Sequence, residues 1–292
     1  MLPHLNNEQL LQLKQVLEGV LFNVDVSDKQ GSQTVEKSDS VNSFLAAKKI
    51  EGCSEKTMTY YRNTIEAMLD GIGKLPQQIT TDDLRKYLLN YQMSRKSSKV
   101  TIDNIRRILS SFFSWLEDED LIVKSPVRRI HKVKTAKMVK DTYTDEALEL
   151  MRDNCTTLRD LAIVDILAST GMRIGELVNL NRTDIDFAER ECIVFGKGSK
   201  ERMVYFDART KIHLQNYLNG RTDANPALFV TLSLPHNRLM IGGVERRLRE
   251  LGERLNISKV HPHKFRRTLA TTAIDKGMPI EQVQQLLGHQ KI

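Results

Sequence analysis

Seven cations, Lys124, Arg128, Arg129, Lys132, Lys134, Lys137 and Lys140, fall within one stretch that holds no acidic side chain and is broken by Pro126. Like charges at this density repel one another unless solvent or a polyanion neutralises them, so the stretch marks a domain boundary. A solvated linker is the plain reading. A DNA backbone lying between two domains is the reading that gives the charge a purpose. At 292 residues the chain is long enough for two domains.

N-terminal to this boundary the apolar periodicity is helical. Helices are expected over 41–49, over 55–70 ended by Gly71, and over 82–95. In the next segment Ile102, Ile105, Leu109, Phe112 and Leu116 form one apolar stripe, while Lys99, Arg106 and Arg107 fall on or near the opposite side. The expectation is a small helical domain, 38–123, with a basic surface, followed by a basic linker, 124–142. Residues 1–37 read as a helical extension carried by Leu10, Leu13, Leu17 and Leu21, then a polar connection.

Beyond the linker, 143–292 reads as mixed but mostly helical. Thr144 is an expected N-cap with Asp145 and Glu146 in the first turn. A buried helix over 158–169 stops at Gly171, and a short helix covers 173–180. Residues 192–195 and 203–206 pattern as the two strands of a hairpin around Gly196-Lys197-Gly198. Helices follow over 210–218, 243–255, 262–275 and 280–287, with Pro262 suited to a first helical position.

A hydrophobic share of 40% with 28% charged residues is ordinary for a globular protein, and the net charge of +7 points to a polyanionic partner. Cys53, Cys155 and Cys192 have neither zinc-ligand nor disulfide-framework spacing and read as reduced thiols of a cytoplasmic protein. No run of 18 apolar residues exists, so neither a membrane span nor a signal-peptide core is expected.

The chemistry-bearing residues are Arg173, Lys197, His263, Arg266 and His289. A cationic set without a carboxylate pair or metal-ligand cluster suits a phosphate on which negative charge builds. Thr170-Gly171-Met172-Arg173-Ile174-Gly175-Glu176-Leu177 sets Arg173 at a helix start, with Glu176 one turn on to orient it; alone, such a pair is more often a surface ion pair. Gly196-Lys197-Gly198 lacks the spacing of a P-loop and alone is a hairpin turn. His263 and Arg266 lie three apart at a helix start, near backbone N–H groups that favour anions. His289 follows Gly288, where a C-terminal cap is the simpler role. No carboxylate or cysteine stands at ligand spacing beside His261, His263 and His289, so no metal is expected.

In this order T-G-x-R-x-x-E-L, G-K-G, H-x-x-R and L-L-G-H resemble the tyrosine recombinases, the phage-type integrases, with spacing like the Xer branch. The resemblance covers about 38 to 289. It implies a mainly α fold: a SAM-like core-binding domain and a mostly helical catalytic domain with a small β-hairpin, closing as a C-shaped clamp on double-stranded DNA. It implies DNA cleavage and rejoining through a 3′-phosphotyrosyl bond, with no ATP, metal or other cofactor, in a homo-tetramer on the DNA.

By position, Arg173 and Arg266 would clamp the scissile phosphate and Glu176 would orient them. Lys197 would protonate the leaving 5′ oxygen, His263 would assist at the nucleophile, and His289 would hydrogen-bond the phosphate. The family's nucleophilic tyrosine follows the last histidine by roughly nine residues, beyond Ile292, so the chain as given is expected to bind DNA without cutting it. The family's terminal helix, expected to strengthen the tetramer, would be absent with it. The alternatives are a non-catalytic DNA-binding regulator or inhibitor of a full-length recombinase and a type IB topoisomerase.

Overall fold

The computed structural model describes residues 12–17, 37–135, 139–196 and 201–288. The chain divides into two compact units near residue 137. Residues 12–17 are helical and exposed, Leu13 and Leu17 included, while Leu10 and Leu21 lie outside the described residues.

Residues 37–135 of the first unit carry four α-helices, α1 (Lys37–Ile50), α2 (Glu55–Ile72), α3 (Thr81–Arg95) and α4 (Lys99–Asp118). Hydroxyl caps start three of them: Ser54 accepts from Thr57 N, Thr80 forms a reciprocal box with Asp83, and Ser98 accepts from Thr101 N. The expected stop at Gly71 is corrected. Helix α2 runs through it and ends at Gly73, whose φ of 74° is the left-handed cap. Gly71 instead lets α3 approach, since a Cβ there would lie 3.0 Å from the Tyr87 ring. Phe44, Ile65, Met68, Leu84, Leu109, Phe112 and Phe113 fill the core, with Phe44 and Phe112 meeting edge-on at 5.4 Å. Each such side chain contributes roughly 1.5–3 kcal/mol on burial.

The first half of the basic stretch is not a free tether. Pro126–Arg129 forms a short 3-10 turn whose Val127 enters this core. Thr81 Oγ1 donates to Pro126 O at 2.7 Å, Arg85 Nη2 to Arg129 O at 3.3 Å, and Val133 N to Asp103 Oδ1 at 3.1 Å. Lys124, Arg128, Arg129, Lys132 and Lys134 are exposed on this anchored segment, and Lys137 lies outside the described residues. Lys99 and Arg107 are exposed on α4. Arg106 is not free: its Nε donates to Asp103 at 2.9 Å and its side chain is mostly covered.

The second unit comprises α5 (Asp145–Asp153), α6 (Leu158–Thr170), α7 (Ile174–Asn179), strands β1 (Ile185–Asp186), β2 (Glu191–Phe195) and β3 (Glu201–Tyr205), then α8 (Ala208–Asn219), α9 (Ile241–Arg254), α10 (Pro262–Asp275) and α11 (Ile280–Leu287). Thr144 caps α5 by accepting from Ala147 N. Helix α6 is buried on nearly every side and packs against α8 and α10, which makes it the axis of the unit. The hairpin is part of a three-stranded antiparallel sheet in the order β1-β2-β3. Its register pairs Glu191 with Tyr205 and Phe195 with Glu201, so the second strand begins earlier than its apolar run and Phe206 leaves the ladder for the core.

Candidate functional site

Three sequence motifs converge where α6 ends, α10 begins and α11 ends. Arg173 is the N-cap residue of α7, and Glu176 closes back on it: the Arg173 amide donates to Glu176 Oε2 at 2.8 Å and its Nη1 to Oε1 at 2.8 Å. Arg173 Nη2 donates to Gly288 O at 3.3 Å. Arg266, one turn into α10, donates from Nη1 to Gly171 O at 2.8 Å and from Nη2 to Leu287 O. Both guanidiniums thereby hold the C-terminal end of α11, where unpaired carbonyls and the helix dipole favour cations.

A fourth group, missed in the sequence, completes the cluster. Arg202 on β3 donates from Nη2 to Glu176 Oε2 at 2.6 Å. Its Nε and Nη1 are buried with no hydrogen-bond partner among the described residues. The signal was available: strand alternation puts Arg202 on the inward side with Val204, where a charge needs a partner. Gly288 packs over this side chain, and a Cβ there would come within 2.6 Å of Arg202 Cδ.

Glu176 is the only carboxylate bonded to this group among the described residues, and its side chain is 3% exposed, against 13% for Arg202 and 36% for Arg173. Three positive charges face one negative, a surplus of two. Burial first, then repulsion from Arg173 and Arg202, pushes the Arg266 guanidinium down to about 10, with Glu176 acting against the shift. Arg202 is lowered for the same reasons, burial leading and Arg173 adding, with Glu176 again opposing. Both stay charged at neutral pH, so the site holds unneutralised cations that an anion would relieve.

Arg266 also faces a cleft of about 850 Å³, lined by Lys140, Lys259, His261, His263 and Arg267 among others. His263 is exposed there on the first turn of α10. Burial, then Arg267, His263 and Lys264, lower the His261 imidazole below its ordinary value. Lys197 and His289 lie outside the described residues. Tyr143 and Tyr217 are buried, their hydroxyls accepting from His261 N and Val230 N, while Tyr205 is exposed on the outer face of β3. No group of three or more His, Cys, Asp or Glu side chains among the described residues is placed to hold a metal ion. No described helix is long and apolar enough to cross a membrane.

The described residues thus form a helical N-terminal unit and a mostly helical second unit that carries a partly buried arginine cluster with surplus positive charge. The model of the phage integrase family matches residues 135–292, and that of the phage integrase N-terminal SAM-like domain matches 41–122. "Tyrosine recombinase XerC" of Oceanobacillus iheyensis is 33% identical over 273 residues, covering 86% of this chain and 88% of that protein. A lambda integrase dimer bound to a COC′ core site shares the fold at TM-score 0.71 and 20% identity, over 86% of this chain and 94% of that one. A lambda integrase tetramer bound to a Holliday junction does so at TM-score 0.72 and 17% identity, over 98% and 89%. The chain belongs to the phage integrase family, as a tyrosine-type, Xer-like recombinase whose chemistry is site-specific DNA recombination.

Proposed function

We propose that Arg173 and Arg266 grip the non-bridging oxygens of one scissile phosphate in double-stranded DNA, with Glu176 orienting them. Lys197 serves as the acid for the leaving 5′ oxygen, His263 assists proton transfer at the nucleophile, and His289 bonds the phosphate. The observation that carries this reading is the surplus of two positive charges in a largely desolvated cluster. A phosphodiester brings one negative charge and its five-coordinate transition state two, so the cluster is matched to the transition state. Removing one such donor costs about 10²–10³ in rate.

Residues 38–123 act as the core-binding domain and 143–292 as the catalytic domain, with the cations of 124–142 set against the DNA backbone and four copies assembling on the junction. The protein works in the cytoplasm, where its DNA is. Lys99, Arg107, Lys124, Arg128, Arg129, Lys132, Lys134, Lys137 and Lys140 make backbone contacts in this reading. Arg106 acts through Asp103, which holds the Val133 amide.

Duplex binding titrated against salt tests the interface. Affinity should fall steeply, and replacing Arg128 and Arg129 by glutamine should flatten the log–log slope by about one for each phosphate no longer neutralised. Salt-independent binding refutes the reading. Selection of bound duplexes from a random library should return one recurrent site, and an unenriched pool would refute site specificity.

A further inference from the structure

Arg202 is placed to govern how much of the Arg173 charge reaches a ligand. Glu176 Oε2 accepts both Arg202 Nη2 at 2.6 Å and the Arg173 amide at 2.8 Å, while Oε1 accepts Arg173 Nη1. The carboxylate is therefore shared between two guanidiniums. Without Arg202 its whole charge would fall on Arg173, and the surplus over the cluster would drop from two positive charges to one. Nε and Nη1 of Arg202 are sealed from solvent and its Nη2 is engaged by Glu176, so its charge reaches a ligand chiefly through its neighbours. It also ties three parts of the chain together: strand β3, which follows Lys197 in the sequence, α7 through Glu176, and the end of α11 through Gly288 lying against its Cδ.

We infer that Arg202 is a positioning residue that counter-charges Glu176, so that the Arg173–Arg266 pair discriminates in favour of a doubly charged phosphoryl species over a singly charged diester. The inference rests on the phosphate-site reading given above. Its energetic origin is Coulombic: a charge added or removed within several ångströms in a partly buried site changes a dianion's binding about twice as much as a monoanion's.

The test uses the intact chain and two probes, inorganic sulfate as the dianion and dimethyl phosphate as the diester monoanion, each titrated by calorimetry well below the unfolding temperature at constant ionic strength. Arg202→Met should weaken sulfate about tenfold or more and dimethyl phosphate distinctly less, whereas Arg202→Lys should restore most of the sulfate preference. A residue that merely held the fold would lower the thermal midpoint and leave the ratio of the two affinities unchanged. That outcome overturns the inference, as does equal weakening of both probes. Arg266→Gln separates the underlying reading: sulfate binding lost there but kept in Arg202→Met sinks the role of Arg202 alone. Sulfate binding absent from the unmodified chain, or insensitive to Arg266→Gln, sinks the phosphate site and this inference with it. Should Arg202→Met fail to fold, comparison of Arg202→Lys with Arg202→Gln carries the same ratio.

Discussion

Replacing Glu176 by glutamine removes the carboxylate that the arginine cluster is built around. In the native unit this carboxylate accepts three hydrogen bonds, from Arg173 N, Arg173 Nη1 and Arg202 Nη2, while almost fully buried. Each guanidinium pairing amounts to about 4 kcal/mol at an effective dielectric near 20, and the carboxylate's own desolvation offsets several kcal/mol of the sum. The net loss on breaking such a buried pair is about 3–5 kcal/mol. Glutamine keeps the shape, but its amide turns an N–H₂ toward a donor, so one pairing becomes repulsive. For a unit of this size the thermal midpoint should drop by roughly 6–20 °C. The cluster is left with three positive charges and no negative one, so added sulfate should raise the midpoint of the variant more than that of the parent. Thermal unfolding with and without sulfate reads both effects. A drop under about 2 °C, or equal sulfate stabilisation of the two proteins, would refute the view that Glu176 is the counter-charge of a buried anion site.

Two further outcomes follow from the neighbourhood of the cleft. Burial pushes the Tyr143 phenol up to about 12 from an ordinary 10.0, so the folded unit keeps this proton while the unfolded chain loses it. Tyr143 therefore leaves stability unchanged below pH 10 and lowers it as pH rises from about 10 to 12. Tyr143→Phe should flatten that part of the stability profile, at a cost of about 1–3 kcal/mol for the unpartnered His261 amide, measured by denaturant unfolding across alkaline pH. Gly288→Ala forces a side chain into a backbone with φ of 64° and onto Arg202. About 1–2 kcal/mol should be lost to the left-handed conformation alone, and sulfate affinity should fall as well; unchanged affinity would show that Gly288 and Arg202 are not coupled.

What could be read from the sequence was whatever a local pattern encodes. Helices α6 and α10 and the T-G-x-R-x-x-E-L turn depend on neighbours within one or two helical turns, and the stripe Ile102, Ile105, Leu109, Phe112 and Leu116 is buried as a set. The misses share the opposite property. Strand β1 is two residues long, too short for any period, and exists only because Glu191 and Cys192 pair with it. Gly71 looks like a helix stop, but its missing side chain serves the Tyr87 ring of another helix, and the left-handed cap falls at Gly73. Charge reads as solvent-facing until a partner far along the chain claims it, as the Val133 amide does for Asp103 and Glu176 for Arg202. That last case bears on function. A pattern of individually weak motifs located Arg173 and Arg266, but Arg202, which shares the Glu176 carboxylate with Arg173, is a strand residue outside every motif. The electrostatics of the cluster are therefore a property of the tertiary fold, whereas the positions of Arg173, Glu176 and Arg266 are already carried by local spacing.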